Sequence, residues 1–296
     1  MPLFLYIYFV QDTKFMNKIL LPTDFSENSI NAIHYALELF KNTHCDFYFF
    51  NVQKASSYIS GDMMTVSSTT SVYQTLIDEA QKSISQLISD MKSKYRNNKH
   101  LFHSVVDYDD FIDAVNQVSE NHNIDLIIMG TKGASGLKKI LFGSNTVKIM
   151  QRSNLPVLAI PSGYSFQGVE KIAFVNSNFK LINTNNFKPL EDIMTVQNST
   201  LDILHLSDQR QEGYSQEEAQ DFFNTIFKEA KHEFINTSIE TMYDDVHDYI
   251  VNNNIKVLAM VDKKHSFFER LFKIQDIQRF AFNIDIPFLV MRNTAL

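Results

Sequence analysis

Apolar residues along this chain alternate between two spacings. Short continuous runs recur: KILLPT (Lys18–Thr23), DFYFFNV (Asp46–Val52), Leu101–Val106, DLIIM (Asp125–Met129) and PVLAI (Pro156–Ile160). Between them the apolar positions fall three or four residues apart. Ile30, Ala32, Ile33, Ala36, Leu37 and Phe40 do so within Glu27–Phe40, and Leu76, Ile77, Ala80, Ile84, Leu87, Ile88 and Met91 within Val72–Tyr95. The continuous runs predict strands and the wider spacing predicts helices. Ser26 is the expected N-cap of the first helix. Further helices are predicted over Asp109–Asn121 and from Ser144 to Arg152, and Lys54–Ser71, rich in Ser, Thr and Gly, as a loop. Strands apolar on both faces belong in a parallel sheet covered by helices on both sides. Their alternation with helices predicts a doubly wound α/β sheet, with ligands at the carboxyl ends of the strands.

The pattern then restarts. Pro161–Glu170 has no periodicity, and after it Lys171-Ile172-Ala173-Phe174-Val175 echoes Lys18–Pro22, and Leu201–Leu206 echoes the second strand. Asp244-Asp245 through Met260 echoes Asp109-Asp110 through Met129, and Pro287–Val290 echoes Pro156–Ala159. Echoes in one order imply two tandem copies. The expected fold is α/β, with two tandem doubly wound open parallel five-stranded sheets and helices on both faces. The expected division is a first domain over 17–162, a linker over 163–170 and a second domain over 171–293. Gln216–His232 reads as a helix of the second copy. MPLFLYIYFV is apolar but too short to span a membrane, and it lacks a basic leader and a cleavage site. Met16 directly precedes the regular pattern, so residues 1–16 are expected to be a non-native or disordered extension, with translation starting at Met16.

Composition narrows the function. A chain of 296 residues suits two cores. A formal charge of −7 without a long basic run argues against a nucleic-acid partner. The 25 Phe and absent Trp read as core filling, not as a base-stacking platform. One cysteine, Cys45, excludes an intrachain disulfide framework and a multi-cysteine metal site. It reads as packing at a strand start. A cytoplasmic protein with no membrane partner is the expectation.

The chemistry concentrates after the fourth strand. Gly130 and Gly133 are two residues apart, and nine residues later Gly143-Ser144 opens a helix. Glycine accepts the φ/ψ of a tight turn and lets backbone N–H groups approach a phosphate. A helix N-terminus at Gly143-Ser144-Asn145 favours an anion, while Ser144 either adds a hydroxyl or caps the helix. Lys132, Lys138 and Lys139 add positive charge. The spacing is neither a Walker loop nor the usual dinucleotide fingerprint. Pro22-Thr23-Asp24-Phe25-Ser26 ends the first strand, which in a doubly wound sheet neighbours the fourth. Asp24 there either accepts hydrogen bonds from a ribose or base, or caps the first helix. Val52, ending the second strand, offers backbone groups to a base edge.

These residues together resemble the universal stress protein family. Lys18–Ser26, Met129-Gly130-Thr131-Lys132-Gly133, Gly143-Ser144-Asn145-Thr146 and Pro156-Val157-Leu158 carry the likeness over about residues 17–161, with a fainter copy over 171–293. The complete Gly-x2-Gly-x9-Gly-Ser/Thr motif marks the family's ATP-binding branch. The resemblance implies the adenine nucleotide alpha hydrolase-like fold and an ATP- or AMP-type ligand. It implies that Asp24 and Val52 hold the nucleoside, and that Pro22, Thr23, Met129 and Lys132 also belong to the nucleotide site. Gly130, Gly133, Gly143, Ser144 and Asn145 then hold the phosphates, with a bridging Mg or Mn ion. It also implies pairing of fifth strands, within one chain or in a homodimer. Asn51 departs from the family, whose members often carry His there.

The second copy loses the motif. Gly130 aligns with Val261, Gly133 falls near Lys264, Gly143-Ser144 near Lys273-Ile274, and Asp24 aligns with Ser177. Val resists the φ > 0 expected of a turn glycine, so this copy is not expected to bind nucleotide in the same way. The basic loop Lys263-Lys264-His265 reads as solvated charge. Asp107, Asp109 and Asp110, and Asp244, Asp245, His247 and Asp248, resemble carboxylate clusters but read as acidic helix starts. The expected function is an ATP-binding stress-response regulator with no catalytic residue, since no base or arginine finger is evident. The alternatives are slow ATP hydrolysis and a nucleotide-independent protein-interaction scaffold whose glycines serve folding.

Overall fold

A computed structural model of the chain describes residues 15–53, 69–131, 142–176, 179–207, 215–238, 241–262 and 285–293. The first copy runs β1 (Lys18–Pro22), α1 (Glu27–Leu39), β2 (Cys45–Val52), α2 (Thr69–Tyr95), β3 (His100–Asp107), α3 (Phe111–His122), β4 (Leu126–Gly130), α4 (Ser144–Arg152) and β5 (Val157–Ile160). The second runs β6 (Lys171–Asn176), α5 (Lys188–Gln197), β7 (Thr200–Ser207), α6 (Gln216–Ile226), β8 (Lys231–Asn236), α7 (Met242–Asn252), β9 (Val257–Asp262) and β10 (Phe288–Arg292).

All ten strands form one sheet in the order β3-β2-β1-β4-β5-β10-β9-β6-β7-β8. Each half is parallel, and the halves join where β5 and β10 pair antiparallel. Leu158 faces Leu289, Val157 faces Val290 and Ala159 faces Phe288, so a local twofold passes through the Leu158–Leu289 pair. A twofold normal to the sheet keeps equivalent helices on one face. Accordingly α1, α2, α5 and α6 share one apolar layer, and α3, α4 and α7 share the other. Side chains alternate between them: Ile19 and Leu21 face the first layer and Leu20 the second. The first layer is aromatic in the second half, where Phe174, Phe187, Phe223 and Phe227 meet largely edge to face. Each such ring contributes roughly 1.5–3 kcal/mol by burial.

One expectation needs correction. Gln216–His232 is not one helix: α6 stops at Ile226, and Lys231–Asn236 is strand β8. The reason is tertiary. Asp202–Ser207 of β7 offer a parallel edge that pairs residue by residue with Lys231–Asn236. α5 is a further helix, between β6 and β7. Met16 is buried, and its N–H donates to Asp192 Oδ2 of α5 at 2.9 Å. Residues 1–14 lie outside the described residues. Cys45 opens β2 as expected, and burial pushes its thiol up to about 12.

The register equates positions in the two halves. Lys18 pairs with Asp46 as Lys171 pairs with Thr200, so Thr23 and Asn51 correspond to Asn176 and His205. Ile19 pairs with Leu126 as Ile172 pairs with Val257, so Gly130 corresponds to Val261. His205 is 2% exposed, with Nε2 2.9 Å from His232 Nδ1 and its ring stacked on Phe234. Burial first, and the nearby His232 second, push its imidazole down to about 4. In the unfolded chain it titrates near 6.5. The unfolded state therefore binds more protons between those values, and stability falls as pH drops from about 6.5 to about 4. Thermal unfolding across that window should show a shallower decline in His205→Phe than in the unaltered chain.

Candidate functional site

The turn after β1 is held by its own side chains. Thr23 is buried, and its N–H extends the ladder to Phe50 O at 2.8 Å. Its Oγ1 accepts from Phe25 N at 3.0 Å and meets Ser29 Oγ at 2.9 Å. Phe25 takes φ 63, a left-handed conformation that costs a non-glycine residue about 1–2 kcal/mol. Ser26 caps α1, accepting from Ser29 N at 3.3 Å. Asp24 is exposed and does not cap the helix directly; its Oδ1 accepts from Ser26 N at 3.1 Å and Ser26 Oγ at 2.5 Å. It therefore buttresses the capping serine while its carboxylate stays at the surface.

Gly130 is the last residue of β4, beside Ile160 of β5. Its glycine identity has a different cause from the one expected. It is not among the residues with positive φ. A Cβ there would lie 2.8 Å from Asn28 O and 3.0 Å from Asn28 C, so the requirement is the close approach of the first turn of α1. Met129 is buried in the layer of α3 and α4, which leaves only its backbone for the site. Pro22 is likewise buried at the end of β1, and Val52 ends β2 half-buried opposite Asp107.

The loop after Gly130 has a clasped neck. Thr131 N donates to Ile160 O at 2.9 Å, and Thr131 O accepts from Gly143 N at 2.5 Å. Thr146 of α4 donates its hydroxyl to Gly130 O at 3.0 Å. These bonds bring the N-terminus of α4 against the end of β4. Gly143 is the N-cap and supplies no side-chain acceptor, and Ser144 and Asn145 are exposed in the first turn. Lys132, Gly133, Lys138 and Lys139 lie outside the described residues. Thr146 was missed as a functional residue, because its bond spans 16 positions and nothing local announces it.

The other candidates stay apart. Val261 sits buried at the register of Gly130. Ser177, Lys263, Lys264, His265, Lys273 and Ile274 lie outside the described residues. Asp110 caps α3 by accepting from Ile112 N at 3.0 Å, and Asp109 accepts from Asp110 N at 2.7 Å. Asp244 and Asp245 lie in the first turn of α7, and Asp245 accepts from Thr241 Oγ1 at 3.0 Å. No helix among the described residues is long and apolar enough to cross a membrane.

Comparison with known proteins fits this layout. Residues 16–161 match the model of the universal stress protein family. Universal stress protein MJ0577 of Methanocaldococcus jannaschii is 28% identical over 152 residues, which is 48% of this chain and 93% of the relative. Universal stress protein A homolog 1 of Coxiella burnetii is 29% identical over 142 residues, 48% of this chain and 94% of the relative. The crystal structure of a universal stress protein from Archaeoglobus fulgidus superposes with a TM-score of 0.67 at 17% identity, covering 94% of this chain and 96% of that one. That likeness extends the shared fold to both halves.

The contact at Gly130 gives a stability expectation. Gly130→Ala should destabilise the chain by about 1–3 kcal/mol through overpacking against the α1 backbone, read by urea unfolding. Thr146→Val, which keeps the shape and removes the hydroxyl, should cost about 1–2 kcal/mol in the same assay.

Proposed function

From the match of residues 16–161 to the universal stress protein family model, we infer that this chain binds an adenine nucleotide, ATP, in its first half. The observation that carries the reading is the clasped neck. The Gly143-to-Thr131 bond sets the uncapped first turn of α4 at the end of β4, next to β1 and its Thr23–Ser26 turn. This is the place where the strand order reverses, from β1 outward to β2 and β3 on one side and to β4 and β5 on the other. Open α/β sheets bind ligands at such a switch point.

In this reading Gly130, Gly143, Ser144 and Asn145 take the phosphates, with Lys132 and Gly133 of the intervening loop. Pro22, Thr23, Asp24, Val52 and Met129 take the nucleoside, Asp24 through its exposed carboxylate and Met129 through its backbone. The residues fit an anion: the buried Thr131 hydroxyl, at the root of the loop, has no partner among the described residues and serves as a donor. A Mg or Mn ion bridging the phosphates would supply charge neutralisation, with Ser144 as a candidate oxygen ligand. The division into domains over 17–162 and 171–293, joined by 163–170, belongs to the same reading. The first domain binds and the second supports it. Nucleotide occupancy biases the conformation or the partner surface of the tandem pair. No residue takes a catalytic role.

A second reading has one observation in its favour. The glycine at 130 is required by Asn28 whether or not a ligand binds, as in a nucleotide-independent scaffold. Calorimetric titration of the full chain with ATP and MgCl2 separates the two. One saturable site per chain is expected, with binding lost in Gly143→Asp, which sets a carboxylate at the anion site. Absence of any ATP-dependent heat would favour the scaffold.

A further inference from the structure

Asn51 ties the ends of two strands together from inside the protein. It is 5% exposed, and its Nδ2 donates to the carbonyl oxygen of Thr23 at 2.7 Å. Its Oδ1 accepts from Gln53 Nε2 at 2.6 Å. An amide has one acceptor end and one donor end, and Thr23 O only accepts, so the Nδ2 end faces Thr23 while the Gln53 contact engages the Oδ1 end. Thr23 in turn receives the N–H of Phe25, whose left-handed backbone opens the way into α1. Backbone of that kind persists only where the surroundings over-determine it. Here three ties do so: Asn51 on Thr23 O, Thr23 Oγ1 on Phe25 N, and Asp24 Oδ1 on Ser26. Asp24 sits between the first tie and the last, so the direction of its carboxylate follows from them.

The second half supplies an internal control. His205 stands at the register of Asn51 and Asn176 at that of Thr23. The His205 ring turns to the neighbouring strand, where Nε2 meets His232 Nδ1 at 2.9 Å. Its Nδ1 has no partner among the described residues, and neither has Asn176 Nδ2. Among those residues no side-chain bond ties His205 back to Asn176 of β6. The chain beyond β6 enters two short 3-10 turns, Phe179–Leu181 and Thr184–Phe187, before α5 begins at Lys188, whereas α1 begins at Glu27, five residues beyond the end of β1. The same position in the same sheet thus goes with an early helix start in one half and a late one in the other.

We propose that Asn51, braced by Gln53, is the positioning residue of the nucleoside end of the site: it holds the Thr23–Ser26 turn so that Asp24 meets the ribose, and acts on affinity only through that turn. This rests on the adenine-nucleotide reading above. The test titrates the full chain with ATP, 2′-deoxy-ATP and inorganic tripolyphosphate, comparing the unaltered protein with Asn51→Ala and Gln53→Ala and following thermal unfolding in parallel. Asn51→Ala should weaken ATP about tenfold, the loss of one well-formed hydrogen bond. It should also narrow the preference for ATP over 2′-deoxy-ATP and leave tripolyphosphate affinity within about twofold, since the clasped phosphate end is untouched. Gln53→Ala, which removes the partner of Asn51 Oδ1 but keeps the Nδ2 bond to Thr23 O, should shift the same quantities in the same direction by a smaller factor. It stands in if Asn51→Ala does not fold. Asn51→His, which restores an N–H donor opposite Thr23 O with no His232 counterpart to draw it away, should recover most of the lost affinity. Equal weakening of ATP and tripolyphosphate, or an unchanged ATP to 2′-deoxy-ATP ratio in a folded variant, overturns the proposal while leaving nucleotide binding intact. No ATP binding by the unaltered chain overturns the parent reading as well.

Discussion

The backbone of α1 lies directly on the end of β4, and much of the first half is arranged around that contact. No side chain fits at residue 130, where a Cβ would press on Asn28 O at 2.8 Å. To bring Asn28 so close, the chain must leave β1, turn and begin a helix within five residues, which a relaxed right-handed path does not supply. The left-handed Phe25, the Ser26 cap and the Asp24 buttress are the local consequences. The Thr146 hydroxyl then reaches the same Gly130 carbonyl from α4. Packing of α1 and presentation of the candidate site are one geometric problem with one solution.

The second half relaxes that contact. Val261 fills the position of Gly130, and two 3-10 turns precede α5. In the freed space, phenylalanines from β6, the 3-10 turn and α6 build an aromatic layer that buries His205 as a neutral imidazole. The two halves share a sheet topology and divide the tasks. One keeps polar groups and backbone at the carboxyl edge of its strands; the other turns the same edge into core. The β5–β10 pairing joins them with no exposed strand edge at the centre, and the segment at Met16 reaches across to Asp192.

How legible this was in the sequence can be argued residue by residue. Strands β1, β2, β4 and β5 were readable because each is buried on both faces, and continuous apolar runs leave few alternatives. Ser26 as the cap was readable because capping is local. β8 was not, since KHEFIN follows a helix without a strong break and becomes a strand by pairing with β7. The reason for Gly130 was misread as a turn requirement, because a close approach between α1 and β4 leaves no mark in the neighbouring residues.

The sequence by itself determined the alternation of elements, the duplication, and which loop carries the glycines, since these depend on local preference and on periodic burial. Only the tertiary structure decided that β5 and β10 fuse the copies into one sheet, that Asp24 buttresses a cap it does not form, and that Thr146 reaches Gly130 O and Asn51 reaches Thr23 O. Apart from the local Asp24–Ser26 contact, these join residues 16 to 133 positions apart. Their energies depend on which backbone atoms the fold brings within hydrogen-bonding distance, and the order of residues along the chain does not contain that distance.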